Sequence, residues 1–391
     1  MAESISQQQA RKLVLHAQRL PTAPAKGNAI TATLNALEAM GYVQIDTISV
    51  IERAHHHTLW NRNPKYQPHH LEQLIAQKHV FEYWSHAAAY LPMRDYRFTL
   101  IRKEALKSGE LDHWYPRNPK LMTQVLSRIR NEGPLKAKNF DNGASRLNKI
   151  KSGDWSSKPA KQALECLFMQ GDLMIVKRDK FHKVYELTER VLPADINSAL
   201  PSQEEYSRFL ITRFLHANGI GQASEIAYLR KNTKNLIQHQ LNIMQEEGTL
   251  ITLDVAGNYY FCLPEHLNSL NMPLRRKKMH ILSPFDNLLI QRKRMRTLFE
   301  FDYLLECYLP QAKRQYGYFA LPILWDAQLV ARMDCRVDRK DRILHIYHLV
   351  LEPSLSKKVE AFHLALATAL KTFLTLNHCH DFVLHKTTQL S

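Results

Sequence analysis

Cysteine is scarce in this sequence, and the few cysteines it has are isolated. The 391 residues include five, at positions 166, 262, 307, 335 and 379, with no C-x-x-C pair among them. An odd number of scattered cysteines does not suit a disulfide framework or a structural zinc site, and predicts reduced thiols in a cytosolic protein. The stretches 55–57 and 378–380 are rich in histidine. Adjacent side chains rarely face one ion, so we expect no metal site there.

Membrane and export segments are missing as well. No apolar run approaches the ~20 residues that span a bilayer, and the first residues lack the basic and apolar regions of a signal peptide. The sequence also lacks a P-loop, a G-x-G-x-x-G loop, a G-x-S-x-G elbow and an H-E-x-x-H helix. We therefore expect a cytoplasmic, nucleoid-associated protein that binds no cofactor and has no membrane partner.

Positive charge is what the sequence has in excess. It holds 53 lysines and arginines against 37 aspartates and glutamates, which is a formal net charge of +16. Such a balance indicates a polyanionic partner, and the lack of membrane segments favours nucleic acid. RNA is the weaker alternative, because no RRM or KH signature is present.

The periodicity of apolar residues predicts an α+β protein, with tandem winged-helix units followed by a small β-rich, barrel-like domain. Two stretches place helices before a hairpin, which is the order of a winged helix. Strands and a long closing helix fill the C-terminal stretch. The predicted units are 1–118, a first winged-helix-like unit with the catalytic motif; 119–195 and 196–272, a second and a third winged helix; and 273–391, the barrel-like domain.

A pair of polar residues, Gln44 and Asp46, follows a helix pattern that ends at Gly41. If residues 43–48 are extended, successive side chains alternate between faces, so Gln44 and Asp46 point the same way. An amide and a carboxylate that project together can hold one water molecule and place negative charge beside a developing cation. The alternatives are that Asp46 caps the following helix, or that both residues simply lie on the surface.

Clusters of basic and aromatic residues are candidates for contact with phosphates or bases. The alternatives are solvated charge and, for the first cluster, a helix turn at a domain interface. The candidates lie in three places: His56, His57, Trp60 and Arg62 after the polar pair; Lys177, Arg178 and Lys180 on the predicted hairpin; and Arg275, Arg276 and Lys277 in a linker.

Several stretches of the sequence match one known pattern. They are residues 43–48 (VQIDTI), 56–62 (HHTLWNR), 81–87 (FEYWSHA), 158–161 (KPAK), 185–193 (YELTERVLP), 282–287 (LSPFDN) and 312–318 (AKRQYGY). Together they resemble the AlkZ/YcaQ family of bacterial DNA glycosylases over nearly the whole chain. That family carries a Gln-aliphatic-Gln or Gln-aliphatic-Asp motif at the place of Gln44 and Asp46. Because position 46 is an aspartate rather than a glutamine, the sequence is more similar to the YcaQ-like branch of that family.

This resemblance implies tandem winged helices and a β-barrel-like domain that form a concave DNA-binding body. It implies a monofunctional enzyme, without a metal, that excises N7-alkylguanine and unhooks interstrand crosslinks at their glycosidic bonds. Asp46 would stabilise the oxocarbenium-like sugar and accept a proton from the attacking water, which Gln44 would orient. The expected partner is double-stranded DNA with alkylated or crosslinked purines, bound by a monomer.

A second hypothesis is a winged-helix DNA-binding protein without catalytic activity, such as a transcription regulator. The same hairpins and the same basic charge would serve it. Regulators of that kind usually dimerise to read paired half-sites, and this sequence has no heptad segment that predicts a dimer helix.

Overall fold

The structure is a computed structural model, which describes residues 2–20, 27–140, 159–230 and 232–390. The chain forms two compact units: Met1–Pro68 together with Ser207–Ser391, and His69–Tyr206. The boundaries predicted at 118, 195 and 272 do not coincide with these units. Segments that are distant in the chain pack into one core in the first unit, and no local pattern reveals such packing.

The α-helices follow the apolar periodicity of the sequence. The first begins at a capping box, in which the Ser6 hydroxyl accepts a hydrogen bond from Gln9 N and the Gln9 side chain accepts one from Ser6 N. The sequence pattern from Lys158 to Met169 also predicts a helix, which is described from Pro159 because Lys158 lies outside the described residues. The helices are α1 (Gln7–Ala17), α2 (Ala29–Met40), α3 (Ala54–Arg62), α4 (Pro68–Ala76), α5 (Leu100–Ser108), α6 (Pro119–Glu132), α7 (Pro159–Met169), α8 (Thr188–Val191), α9 (Gln203–Asn218), α10 (Ala223–Ile226), α11 (Lys234–Glu246), α12 (Arg292–Phe299) and α13 (Val359–Leu376).

The strands are short in the helical parts of the chain and long near its C-terminus. They are β1 (Glu3–Ile5), β2 (Val43–Gln44), β3 (Val80–Trp84), β4 (Ala88–Pro92), β5 (Leu135–Lys136), β6 (Leu173–Asp179), β7 (His182–Leu187), β8 (Ile220–Gly221), β9 (Ile251–Val255), β10 (Asn258–Cys262), β11 (His280–Ile281), β12 (Ala320–Trp325), β13 (Gln328–Asp338), β14 (Ile343–Leu351), β15 (Asp381–Leu384) and β16 (Thr387–Gln389).

Two small sheets repeat one topology. In the second unit, β5 follows α6 and pairs with the second strand of the β6–β7 hairpin, in the order β5-β7-β6. In the first unit, β8 follows α9 and pairs with β10 in the order β8-β10-β9, and β1 adds a parallel strand beside β9. In both cases helices precede a hairpin whose second strand lies between the other two.

The strands of the predicted C-terminal domain form one six-stranded sheet in the first unit. Its order is β11-β12-β13-β14-β15, and β16 also pairs with β14. The strand register shifts between Ile323 and Leu324 and again between Asp334 and Cys335. Such bulges bend a strand and increase its twist. The sheet is a curled half barrel rather than a closed barrel, because β11 and β15 are its edges among the described strands.

Helix α13 covers this sheet. Its buried face, formed by Phe362, Leu366, Leu370 and Phe373, lies in the core that the sheet shares with Ile51 of the N-terminal segment. Among the described residues, α13 is the helix long and apolar enough to cross a membrane, with a mean hydropathy of 1.3. Length and composition do not separate such a span from a helix that packs on a protein core.

Candidate active site

The position at which helix α2 ends determines where the predicted catalytic pair, Gln44 and Asp46, lies in the fold. The Asn28 side chain caps the helix by accepting a hydrogen bond from Thr31 N at 2.8 Å. Gly41 ends it in the left-handed conformation, with φ of 85°, so the stop predicted from the sequence is confirmed. A side chain at position 41 would also meet Arg213, since its Cβ would lie 2.6 Å from Nε. The chain therefore leaves the helix at one defined point, two residues before β2.

The extended segment is shorter than the sequence predicts. Strand β2 ends at Gln44, and the chain from 45 to 53 has no regular secondary structure. Gln44 is 9% exposed and Ile45 is 7% exposed, whereas Asp46 is half-buried. Strand β2 therefore does not reach Asp46, and the alignment of the two side chains on one face stays a prediction. Asp46 is positioned by the irregular segment instead.

Hydrogen bonds fix the segment that carries Asp46. Its carboxylate accepts a hydrogen bond from Ile48 N at 2.7 Å, which closes a tight turn of the kind aspartates favour. Val337 N, on β13, donates to Val50 O at 2.8 Å. Ile51 is 2% exposed and packs into the core of the six-stranded sheet. Asp46 is thus held on a rigid part of the fold although it lies in a loop.

The environment of Asp46 suits a proton acceptor. Burial raises the pKa of its carboxyl group, while the hydrogen bond from Ile48 N and the charge of Arg53 partly oppose that rise. A carboxylate with a raised pKa accepts a proton more readily, and in a half-buried position it acts more strongly on a nearby cation. Asp46 therefore combines partial access to solvent with the properties of a general base.

A second segment, at residues 307 and 308, supplies side chains that interact electrostatically with Asp46. Burial and then the Asp46 carboxylate raise the pKa of the Cys307 thiol. Burial, Cys307 and Asp46, in that order, raise the pKa of the Tyr308 hydroxyl. Tyr308 is nevertheless 75% exposed, which is unusual for so large a ring. An exposed aromatic side chain thus stands within electrostatic reach of the carboxylate.

The loop after Tyr308 is tied down by one buried carboxylate. Glu306 is 4% exposed, and its oxygens accept hydrogen bonds from the backbone N–H groups of Gln315, Tyr316 and Gly317 at 2.8–3.0 Å. Gly317 has φ of 136°, and a Cβ there would overlap the side chain of Asp334. Residues 315–317, in the family-like stretch 312–318, are therefore fixed by hydrogen bonds to Glu306 and by the close approach at Gly317.

This loop also presents a cation and a second aromatic ring. The Arg314 guanidinium lies 5.0 Å from the centre of the Tyr318 ring, and its Nε donates to Leu309 O at 2.9 Å. Tyr318 is 39% exposed. The stretch 312–318 carries part of the family resemblance, but its sequence predicts no role for any single residue. Sequence reasoning missed three groups: the exposed Tyr308, the exposed Tyr318 and the cation of Arg314.

Comparison with known proteins decides the family. A family model described as DNA glycosylase AlkZ-like matches residues 37–375. The chain belongs to the AlkZ-like DNA glycosylase family. Membership indicates a hydrolase of DNA repair whose substrate is DNA. The solved structure of the Streptomyces sahachiroi DNA glycosylase AlkZ is similar with a TM-score of 0.61 at 15% identity, covering 97% of this chain and 100% of that chain. At that identity the likeness shows the fold alone, a mixed α+β architecture.

Two of the predicted DNA contacts in this AlkZ-like chain are buried. His57 is fully buried, and its Nε2–H donates to Ile281 O at 2.8 Å. Burial lowers the pKa of His57 to about 4, so it is uncharged at neutral pH. Arg62 is paired with Asp286, and neither side chain is exposed. Both His57 and Arg62, predicted as DNA contacts, instead have buried side chains that hold this unit together in the structure.

The other two residues of that cluster are only partly accessible. His56 Nδ1 forms a 2.7 Å hydrogen bond with the Tyr66 hydroxyl, and burial lowers the pKa of His56 to about 4. Trp60 is half-buried and packs against the core of the six-stranded sheet. Neither residue offers a positive charge to phosphate at neutral pH.

The basic hairpin retains part of its predicted surface. Lys177 and Lys180 are exposed, and Lys180 lies in the turn between β6 and β7. Arg178 instead forms a bidentate ion pair with the buried Glu82, at 2.7 and 2.8 Å. Its charge is already neutralised, so the two lysines remain the candidates for phosphate contact in this AlkZ-like protein.

The basic run at residues 275–277, before β11, likewise combines a paired arginine with exposed basic residues. Arg275 and Lys277 are exposed. Arg276 Nε donates to the Asp326 carboxylate at 2.6 Å, which also pairs with Lys358 Nζ at 2.6 Å. Arg276 therefore joins the run to the turn between β12 and β13, and no ion pair among the described residues involves Arg275 or Lys277.

Proposed function

We propose that this protein hydrolyses the N-glycosidic bond of N7-alkylguanine in duplex DNA, including the bonds that hold interstrand crosslinks. The observation that carries the proposal is the half-buried carboxylate of Asp46, whose pKa is raised by burial and which lies within electrostatic reach of the exposed Tyr308 hydroxyl. The family contributes the reaction class, which is the removal of a base from DNA.

The chemistry places separate demands on the lesion and on the protein. Alkylation at N7 gives the guanine a positive charge, so the C1′–N9 electron pair can leave with the base, which departs neutral. Positive charge then develops on the sugar, as in other glycoside hydrolysis. The Asp46 carboxylate stabilises that charge, and accepts the proton of the water whose oxygen bonds to C1′. The products are an abasic deoxyribose and free N7-alkylguanine.

Gln44 and the exposed tyrosine have subsidiary roles in this proposal. Gln44 has an acceptor oxygen and two N–H donors, so it can orient the attacking water. The Tyr308 ring can lie against the cationic base, since an aromatic face attracts a cation by roughly 0.5–2 kcal/mol. Arg314 and the exposed lysines Lys177 and Lys180 would contact phosphates, which makes binding sensitive to salt.

The helix-and-hairpin topologies around β5-β7-β6 and β8-β10-β9 support a further part of the proposal, that these are winged-helix units. In such a unit the hairpin meets the DNA backbone. The exposed Lys180 at the β6–β7 turn suits that position.

The direct test is a base-release assay on duplex DNA that contains N7-methylguanine or a single N7-linked crosslink. We expect free alkylated base and heat-labile abasic sites in amounts that rise with enzyme. A monofunctional enzyme should leave the strand intact before heating and give no protein–DNA adduct with borohydride. A protein that binds the duplex tightly but releases no base, even in excess over DNA, would be a DNA-binding regulator, and the proposal would be wrong.

A further inference from the structure

A group of three side chains outside the candidate active site has the composition of a metal site. His216 lies in the last turn of α9, and Glu265 and His266 lie in the 3-10 helix Pro264–Asn271 that follows β10. The possible ligand atoms of these three residues all lie within 4.8 Å of one another. His216 and Glu265 are exposed and His266 is half-buried, so an ion could reach the group from solvent.

The orientation of His266 suits a ligand. Its Nδ1 lies 3.0 Å from Gly219 O, and because a carbonyl only accepts, Nδ1 carries the proton there. The lone pair is then on Nε2, which lies 3.4 Å from His216 Nδ1. A hydrogen bond from a ring nitrogen to a backbone carbonyl is the usual support for a metal-binding histidine, since it selects the tautomer and holds the ring.

The separation of the two ring nitrogens agrees with zinc geometry. Two ligands bound tetrahedrally at a Zn–N distance of about 2.05 Å lie about 3.4 Å apart. The observed distance between His266 Nε2 and His216 Nδ1 is 3.4 Å. The spacing of the two nitrogens therefore fits one ion held between them.

The backbone that orients His266 is itself fixed. Gly219 has φ of 76°, and a Cβ there would lie 2.7 Å from Leu13 O, so only glycine fits this close approach. Gly219 N donates to Leu215 O at 2.7 Å. On the other side, Lys12 Nζ donates to Leu270 O at 2.7 Å and so holds the 3-10 helix. A site built on fixed elements loses little entropy when it binds.

We propose that His216 Nδ1, His266 Nε2 and the Glu265 carboxylate bind one Zn²⁺ ion, with water in the fourth position. Imidazole and carboxylate ligands in this number are those of zinc sites that keep one position open. The ion joins the end of α9 to the segment after the β9–β10 hairpin. Its role is to stabilise this part of the first unit, and it takes no part in cleaving the glycosidic bond.

A second pair of histidines provides a matched control. His345 Nδ1 and His385 Nε2 lie 3.0 Å apart on the six-stranded sheet. Among the described residues, no Asp, Glu, Cys or further His joins that pair to complete a set of three ligand atoms. If any close pair of histidines were enough to bind zinc, His385→Ala would weaken binding as much as His216→Ala does.

The test measures Zn²⁺ binding to the full-length protein after EDTA treatment and desalting, by competition with a chromogenic chelator. We expect one ion per chain in the wild type and in His385→Ala. Binding should weaken by at least tenfold in His216→Ala, His266→Ala and Glu265→Gln, the size of effect seen when support for a zinc ligand is lost. His216→Ala is the decisive variant, because it leaves the His266–Gly219 hydrogen bond in place.

Thermal unfolding with and without ZnCl2 gives the second readout. Zinc should raise the Tm of the wild type and of His385→Ala, since an ion that binds only the folded state stabilises it. The rise should be absent in His216→Ala, whatever the Tm of that variant without zinc. Equal zinc affinity and equal Tm shifts in His216→Ala and the wild type would overturn the proposal. So would a wild type that binds no zinc.

Discussion

Arg62 and Asp286 form a doubly hydrogen-bonded ion pair in which both side chains are fully buried. Arg62 Nη1 and Nη2 donate to the two carboxylate oxygens at 2.6 and 2.8 Å, and Nε donates to Gln18 O at 3.1 Å. The next residue, Asn287, donates from its side chain to Tyr42 O at 3.0 Å, just before β2. The family-like stretches 56–62 and 282–287 thus meet in the interior and brace the chain that enters the candidate site.

Removal of one partner of this pair should destabilise the protein strongly. Arg62→Ala or Asp286→Ala leaves an uncompensated buried charge, and should lower the free energy of unfolding by about 3–5 kcal/mol. The double variant Arg62→Met/Asp286→Leu should lose less than either single variant, because no charge remains unpaired. The exposed pair Arg296–Asp302 is the control, and Asp302→Ala should cost less than about 1 kcal/mol. Urea denaturation measures all four, and near-wild-type stability in both single variants would contradict the structural role.

Gln44→Ala should slow base release by about 10²-fold, the low end for loss of a single positioning or acid–base group. The loss should appear in the single-turnover rate rather than in the Kd for DNA, since Gln44 is expected to orient water. Thr47→Ala changes an exposed neighbour and serves as the control. If Gln44→Ala retains the full rate, the water is held by another group.

The acid side of the pH–rate profile should report Asp46. Activity requires its carboxylate, so the rate should fall as pH drops through the Asp46 pKa, which burial raises above that of an ordinary aspartate. The charge of Arg53 lowers that pKa, so Arg53→Gln should raise it further and move the fall in rate to higher pH. Lys65→Gln removes an exposed charge elsewhere and should leave the profile unchanged. A profile that moves the other way in Arg53→Gln would exclude Asp46 as the titrating group.

The buried Lys103 should make the stability of the second unit depend on pH. It is 3% exposed, with Nζ 3.7 Å from the centre of the Tyr96 ring, and burial lowers its pKa to about 7. Between pH 7 and the pKa of an exposed lysine, the unfolded chain holds a proton that the folded chain lacks. Stability should therefore rise with pH in that range, by at most about 1.4 kcal/mol per pH unit.

Lys103→Met isolates this effect. The variant should be more stable than the wild type at pH 7, and the difference should shrink as the pH is raised to 9, as measured by urea denaturation at each pH. Lys107→Met changes an exposed lysine on the same helix and should preserve the wild-type slope. A constant difference between Lys103→Met and the wild type over this range would mean that Lys103 is charged in the folded protein.

Features that depend on a few neighbouring residues could be predicted from the sequence. The stop predicted at Gly41 is confirmed, and the first helix, for which Ser4 and Ser6 both offered a cap, is capped by Ser6. Turn chemistry is equally local at the β9–β10 hairpin, where Gly257 supplies the positive φ of 79° that the backbone needs. The physical reason is that capping and turn chemistry act within about four residues, so a single sequence contains the whole signal.

Features that depend on residues far apart in the chain could not be predicted from the sequence. The sequence alone predicts that Arg62 is a cation available to DNA. In the structure it pairs with Asp286, which is 224 residues away in the chain. A role for the exposed Tyr308 is indicated only by its electrostatic interaction with Asp46, which is distant in the sequence. The His216–His266 pair is separated by 50 residues, so no ligand spacing in the sequence indicates a metal site. In each case the contact is made by tertiary packing rather than by a local pattern.

The most direct test of the central claim is the single-turnover rate of Asp46→Asn on a duplex with one N7-methylguanine. The asparagine oxygen can still accept the hydrogen bond from Ile48 N, so the local turn should survive while the negative charge and the proton acceptor are lost. We predict a rate at least about 10³-fold below wild type, with the Kd for the same duplex unchanged within about threefold. A variant that releases N7-methylguanine at the wild-type rate would show that Asp46 does not catalyse the reaction.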